Sequence, residues 1–93
     1  MNEYKLTIHL HPSIEINNQI LTGKVQDEMR ILDGIISVLK SDENISHLLV
    51  VNDDIKPGYL IISNKRELKT TGIINESIKS DLDVRIIPIS HGG

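Results

Sequence analysis

The 93-residue sequence contains no cysteine, tryptophan or phenylalanine, and its only aromatic residues are Tyr4 and Tyr59. Without cysteine, disulfides, thiolate metal sites and a cysteine nucleophile are all excluded. With so few aromatics the core must be built from isoleucine, leucine and valine, whose β-branched members favour strands. Charge of one sign is never concentrated: 25% of residues are charged, the net charge is −3, and acids and bases interleave. That pattern argues against a nucleic-acid footprint or a polybasic membrane surface. The longest apolar runs, Leu48 to Val51 and Tyr59 to Ile62, are four residues each, far below the ~20 needed to span a bilayer. The first residues lack the basic start and apolar stretch of a secretory signal. The expectation is a soluble, cytoplasmic protein with no direct nucleic-acid or membrane partner.

What is present is patterned. Tyr4, Leu6, Ile8 and Leu10 alternate with Lys5, Thr7, His9 and His11, the period of a half-buried strand. Pro12-Ser13 and Asn17-Asn18 are turn-forming pairs, and Ile14, Ile16, Ile20 and Thr22 continue the alternation around them, so a hairpin is predicted. From Gln26 to Lys40 the apolar residues fill about half of a helical wheel at ~100° per residue. Arg30, Asp33, Gly34, Ser37 and Lys40 occupy the other half. Asp27 and Glu28 would then lie in the first turn and Lys40 in the last, each favoured by the helix dipole.

Residues 45–51 are apolar but short, and periodicity leaves a strand and a tucked-in loop both open. Asn52-Asp53-Asp54 and Pro57-Gly58 punctuate the chain before a buried strand over Tyr59 to Ile62. Asn64-Lys65 reads as a turn into a short strand around Glu67-Leu68, and after a polar stretch Val84 to Ile89 forms the last strand. A hairpin, one main helix and further strands give an α+β fold, a mixed sheet embracing one helix in the β-grasp arrangement. The expected organisation is one domain over residues 1–89 with a flexible tail over residues 90–93.

That tail is Ser90-His91-Gly92-Gly93. Two glycines at the last two positions arise by chance in roughly one chain in two hundred, so the pair carries weight only through its position after a strand. Glycine lacks a Cβ, and a glycine tail can thread a narrow channel. Four extended residues reach ~13 Å. An enzyme holding ATP could thereby take Gly93 into its site, with the folded body outside.

The second half of the chain resembles the ubiquitin-related modifier family, relatives of the molybdopterin synthase small subunit and the thiamine sulfur carrier. The resemblance lies in Ile55-Lys56-Pro57-Gly58 followed by Leu60-Ile61-Ile62, in Asn64 with Glu67-Leu68, in Gly72, in Asp81-Leu82-Asp83-Val84 and in His91-Gly92-Gly93. It covers residues 55–93, and only the topology before that. Arg66 stands where the family usually has an aromatic, and Thr71 where it has a second glycine. Ile87-Pro88-Ile89 is closer to the molybdopterin branch.

The resemblance implies a non-enzymatic, ubiquitin-like sulfur carrier and protein modifier. An E1-like activating enzyme would adenylate Gly93 with ATP, and a persulfide sulfur donor, a sulfurtransferase, would convert it to a thiocarboxylate. The sulfur would serve tRNA thiolation through a tRNA thiolase, or the carboxyl would join lysines of target proteins through an isopeptide bond. The chain itself would hold no cofactor and no metal. The alternatives are the molybdopterin synthase small subunit and a β-grasp module used purely for binding.

Other residues have plainer readings. His9 and His11 share one side of the first strand, but two ligands fall short of the three or four of a protein zinc site, and they read as solvated. His47 offers no pattern. His91 adjoins the reactive end, where an imidazole could move a proton or serve as a recognition element with Gly92. Ile87 and Ile89 alternate against Val84 and Ile86. They are either a partner-binding patch beside the tail or covered by a neighbouring loop. Lysines 5, 24, 40, 56, 65, 69 and 79 could accept a second copy, and nothing in their context selects one.

Overall fold

The alternation from Tyr4 to Leu10 forms the strand it predicts, and that strand becomes the spine of the sheet. The structure is a computed structural model that describes residues 2–15, 17 and 19–89. The elements in chain order are β1 (Glu3–Leu10), β2 (Ile20–Gln26), α1 (Ile31–Leu39), α2 (Glu43–Leu49), β3 (Val50–Val51), β4 (Asp54–Ile55), β5 (Tyr59–Ser63), β6 (Arg66–Glu67) and β7 (Leu82–Pro88), with a 3₁₀ turn over Ile73–Asn75. Five strands make the main sheet in the order β2-β1-β7-β5-β6. β1 and β2 are antiparallel, β1 and β7 are parallel with Ile8 opposite Val84, and β7 and β5 are antiparallel. This is the expected α+β, β-grasp arrangement, with the first and last strands side by side.

One face of the sheet is dry. Leu6, Ile8, Val84, Ile86 and Ile61 are at most 1% exposed and pack under α1. Among the described residues no polar or charged residue is buried. Nothing in this interior needs a hydrogen bond, so its order comes from shape and from the alternation that feeds it.

The helix begins later than its periodicity predicts. Val25 and Gln26 pair with Tyr4 and Glu3, which keeps them in β2, and Glu28 turns the chain at φ 71°. Asp27 and Glu28 therefore precede α1, whose first-turn acid is Asp33. Arg30, at the N-cap, offers no side-chain cap. The orphan N–H of Ile31 instead donates to the Glu76 carbonyl at 2.9 Å, so a distant segment does the work of a local cap. Arg30 also binds both carboxylate oxygens of Asp33, and that hydrogen bonding holds the Asp33 carboxyl below its usual range. At the other end Lys40 is the C-cap, and its Nζ reaches Asp53 Oδ1 at 3.3 Å.

Residues 45–49 are helical, neither of the two forms considered, and only Val50 and Val51 are strand. The helix is α2, capped by the Asp42 side chain accepting from Ile45 N–H at 3.2 Å, and the strand is the two-residue β3. Ile45 and Leu49 are fully buried, four residues apart on one helical face. The N-cap aspartate was the available signal.

Gly34, assigned to the polar half of the wheel, is buried against the sheet. A Cβ there would lie 2.8 Å from Ile78 Cδ1 and 3.2 Å from Val25 Cγ1. Alanine in a helix interior is worth about 1 kcal/mol over glycine, whereas forcing volume into a packed core costs about 1–3 kcal/mol. Since Ile78 is itself fully buried, packing wins. Gly34→Ala is expected to lower stability by about 1 kcal/mol, read as a lower denaturation midpoint; a higher midpoint would show that the helix can move off the sheet.

Candidate functional site at the end of the last strand

β7 is hydrogen-bonded on both sides, to the β1 side as far as Ile86 and to the β5 side as far as Ile89. On one side His11 N–H donates to the Ile86 carbonyl at 3.1 Å. On the other, Tyr59 stands opposite Pro88, and Ile89 N–H donates to the Gly58 carbonyl at 2.8 Å. Gly58 makes this possible with φ 99°, a conformation that favours a residue without a Cβ. The Pro57-Gly58 pair thus positions the carbonyl that holds the base of the tail. Ser90, His91, Gly92 and Gly93, the residues singled out for chemistry, lie outside the described residues.

Ile87 and Ile89 lie beside that base. Val84 and Ile86 point into the core, as their alternation predicts, and Ile87 is half-buried on the opposite face, directly across from Leu60. Ile89 follows the strand and is 42% exposed. Leu60 and Ile62 share the outer face and are half-buried too, so β5 has one covered side rather than two. Arg85 lies between His9 of β1 and Ile62 of β5. The result is an apolar strip with one guanidinium, running up to the tail.

The Asn64-Lys65 turn is a two-residue hairpin with φ 51° and 64°, the positive pair that matches strand twist. It delivers Glu67, whose role was not foreseen. One carboxylate oxygen accepts from Ile61 N–H at 3.0 Å and the other from Thr70 N–H at 2.6 Å. Desolvation pushes this carboxyl up, but the hydrogen bonds from Thr70 and Ile61 outweigh it and hold the group below the usual range. A single side chain thereby ties β5, the strand that supports the tail's base, to the loop after β6.

Among the described residues the histidines do not form a cluster. His9 is half-buried rather than solvated, and its Nε2 lies 2.9 Å from Asp83 Oδ1. That approach has ion-pair length without hydrogen-bond alignment, so Nε2 remains a buried nitrogen lacking a hydrogen bond. His11 is exposed beyond β1 and its Nδ1 meets Ser13 Oγ at 2.7 Å. Among the described residues no group of three or more possible metal ligands occurs, and no helix is long and apolar enough to cross a membrane. Of the lysines, Lys40 is engaged by Asp53, and Lys56 Nζ donates to the His47 carbonyl at 2.8 Å.

No protein-family model matches the chain, and no curated protein does. Solved structures do. SAMP1 from Haloferax volcanii superposes with a TM-score of 0.76 at 10% identity, covering 96% of this chain and 99% of that one. The small archaeal modifier protein SAMP1 from Methanosarcina acetivorans gives 0.71 at 11% identity, with 100% of both chains covered. A chain of the BexX/CysO complex from Amycolatopsis orientalis gives 0.61 at 16% identity, covering 95% and 99%. At these identities the likeness establishes the shared fold.

Two substitutions test the local geometry. Gly58→Ala forces a Cβ into a left-handed conformation at about 1–2 kcal/mol, and should lower the melting temperature and speed exchange of the Ile89 amide; an unchanged amide would separate Gly58 from the tail's base. For Glu67, a depressed folded-state value means its contribution is complete above the ordinary glutamate value near ~4.3 and is lost as pH falls through the folded one. Glu67→Gln should cost about 1–2 kcal/mol at neutral pH. The gap from the unmodified protein should close on acidification, and a gap independent of pH would refute the assignment.

Proposed function

We propose that this protein is a ubiquitin-like sulfur carrier and modifier that works through the terminal carboxyl of Gly93. The observation carrying the proposal is the anchored end of β7, paired on both sides to Ile86 and held on its β5 side to Ile89. The Gly58 carbonyl holds Ile89 N–H, and Ser90-His91-Gly92-Gly93 follow from that fixed point. A tail with two terminal glycines on a rigid base suits insertion into another protein's active site while the body stays outside. The shared fold of SAMP1, a small archaeal modifier protein, and of a chain in the BexX/CysO complex supports the same reading.

In this reading the chain is a substrate, not an enzyme. An E1-like activating enzyme supplies ATP, and a Gly93 carboxylate oxygen attacks the α-phosphorus and expels pyrophosphate. A persulfide from a sulfurtransferase displaces AMP to give an acyl disulfide, and attack of a second thiol on the donor's sulfur releases the thiocarboxylate on Gly93 and leaves the two thiols joined as a disulfide. The absence of cysteine fits a carrier whose sulfur rides on the terminal carbonyl. From there the sulfur goes to tRNA through a thiolase, or the activated carboxyl forms an isopeptide bond with a target lysine, in the cytoplasm. His91 and Gly92 are the recognition elements of the tail, and Ile87 and Ile89 form the patch on which the activating enzyme closes. The sequence Ile87-Pro88-Ile89 favours, as a second reading, the small subunit of molybdopterin synthase. Co-purification of that enzyme's large subunit, rather than a tRNA thiolase, would select it.

Intact-mass analysis after incubation with the activating enzyme, ATP and a persulfide donor should show one oxygen replaced by sulfur. Removing Gly93 should abolish the change without altering the melting temperature. Ile87→Asp should slow adenylation while leaving the buried face of β7 intact. No mass change with a competent enzyme, or full partner binding by a chain lacking Gly92-Gly93, would replace the carrier reading with a pure binding module.

A further inference from the structure

β7 loses one of its neighbours before it ends. Its parallel register with β1 runs from Leu82 opposite Leu6 to Ile86 opposite Leu10, and the last bond on that side is His11 N–H to the Ile86 carbonyl. The chain then leaves the sheet, with Ile14 N–H folding back onto the His11 carbonyl at 2.8 Å. On the other side the β5 register continues, with Leu60 opposite Ile87 and Tyr59 opposite Pro88. Among the described residues, Ile87, Pro88 and Ile89 are therefore held in the sheet from the β5 side alone. These are the residues from which the tail departs.

The place of the proline in this one-sided stretch follows from the ladder. Ile89 N–H donates to the Gly58 carbonyl, which makes Gly58 and Ile89 a hydrogen-bonded pair. Antiparallel pairs alternate, so Leu60 with Ile87 is also a bonded pair and Tyr59 with Pro88 is not. The Ile86 carbonyl faces β1, and Pro88, two residues on, has the same phase. Its nitrogen thus faces the side that β1 has vacated, where a missing N–H breaks no ladder bond. At position 87 or 89 a proline would remove a bond to β5 instead. The ring also supplies what the lost neighbour does not, because it fixes φ near about −65° and its Cδ confines the preceding residue, Ile87, to the extended region.

We propose that Pro88 is a positioning residue for the activation of Gly93: its ring replaces the β1 ladder beyond Ile86 by covalent restraint and keeps the base of the tail in one direction, so that less ordering remains to be done when an activating enzyme takes the tail. Pro88 does not touch the reacting carboxyl and acts through Ile89 and the Gly58 carbonyl. This inference rests on the reading of Gly93 as the activated group.

The test compares the whole chain with Pro88→Ala and Pro88→Val, the second of which keeps apolar bulk opposite Tyr59. Without enzyme, hydrogen exchange of the Ile89 amide is expected to quicken about two- to fivefold in both variants, the ratio that a proline's restraint of the open chain is worth. With the activating enzyme and ATP, KM for the protein in adenylation should rise by a similar factor at unchanged kcat, since a freer tail weakens ground-state and transition-state binding alike. Gly34→Ala, altered in the core, should move neither reading; an equal rise of KM there would assign the effect to stability and overturn the proposal. Unchanged Ile89 exchange in Pro88→Ala would also overturn it, as would a loss of kcat with KM unmoved. So would a Pro88→Val chain that matches the unmodified protein, because bulk beside Tyr59 would then be sufficient. If a competent enzyme does not adenylate the unmodified chain, the Gly93 reading fails, and Ile89 exchange still decides whether Pro88 holds the base of the tail.

Discussion

The parallel pairing of β1 with β7 is the constraint on which the rest of this molecule depends. It joins Leu6 to Leu82 and Leu10 to Ile86, bringing the two ends of the described chain together across every intervening element. The ordering entropy of closing so long a loop grows only slowly with its length, and it is offset by a core of aliphatic side chains with no polar group among them. Such a core cannot specify register through hydrogen bonds. Register comes instead from the period of two: a slip of one residue would put Lys5, Thr7 and His9 inside and Leu6, Ile8 and Leu10 in water. The hairpin partner β2 and the antiparallel partner β5 then have one place each to go.

This explains which parts of the fold were legible in the sequence. Strands β1, β5 and β7 follow from alternation or apolar runs with turn residues at their ends, and the Asn64-Lys65 hairpin follows from turn chemistry. The errors concentrate where long-range contacts overrule a local pattern. Gln26 looks helical by spacing but is held in β2 by Glu3. Gly34 looks polar-facing but sits where Ile78 and Val25 leave no room for a side chain, a fact carried by residues 9 and 44 positions away. The α1 N-terminus is completed by the Glu76 carbonyl, and a local reading of residues 26–30 cannot anticipate it.

The tail's base shows the same division. That Pro57-Gly58 precedes a strand is visible in the sequence, and so is the diglycine. That the Gly58 carbonyl is the partner of Ile89 N–H, and that Glu67 fixes β5 through Ile61 and Thr70, are consequences of topology. Glu67 in particular reads as one more surface carboxylate until the strands are arranged. Its two acceptor oxygens then match two N–H groups that the short β6 leaves without a ladder partner. A carboxylate that gains hydrogen bonds only in the folded state is a stabilising charge, which is why it is tolerated next to so apolar a sheet.

The end of the last strand meets two opposed demands. As far as Ile86 the strand is paired on both sides, so a pull on the tail loads β1 and β5 together and is resisted by the whole core. Beyond Ile86 the β1 ladder is gone, and the vacated side leaves room for another protein to approach the chain ahead of Gly93. Had β1 run on beside Pro88 and Ile89, the base would be firmer and the approach narrower by one strand, about 4.8 Å. Pro88 separates the two demands, because its restraint is covalent and occupies no neighbouring position. The Gly58 carbonyl completes that restraint from the β5 side and takes no space from the vacated one. The base of the tail is stiff without being enclosed, and a chain end whose chemistry takes place inside another protein needs both.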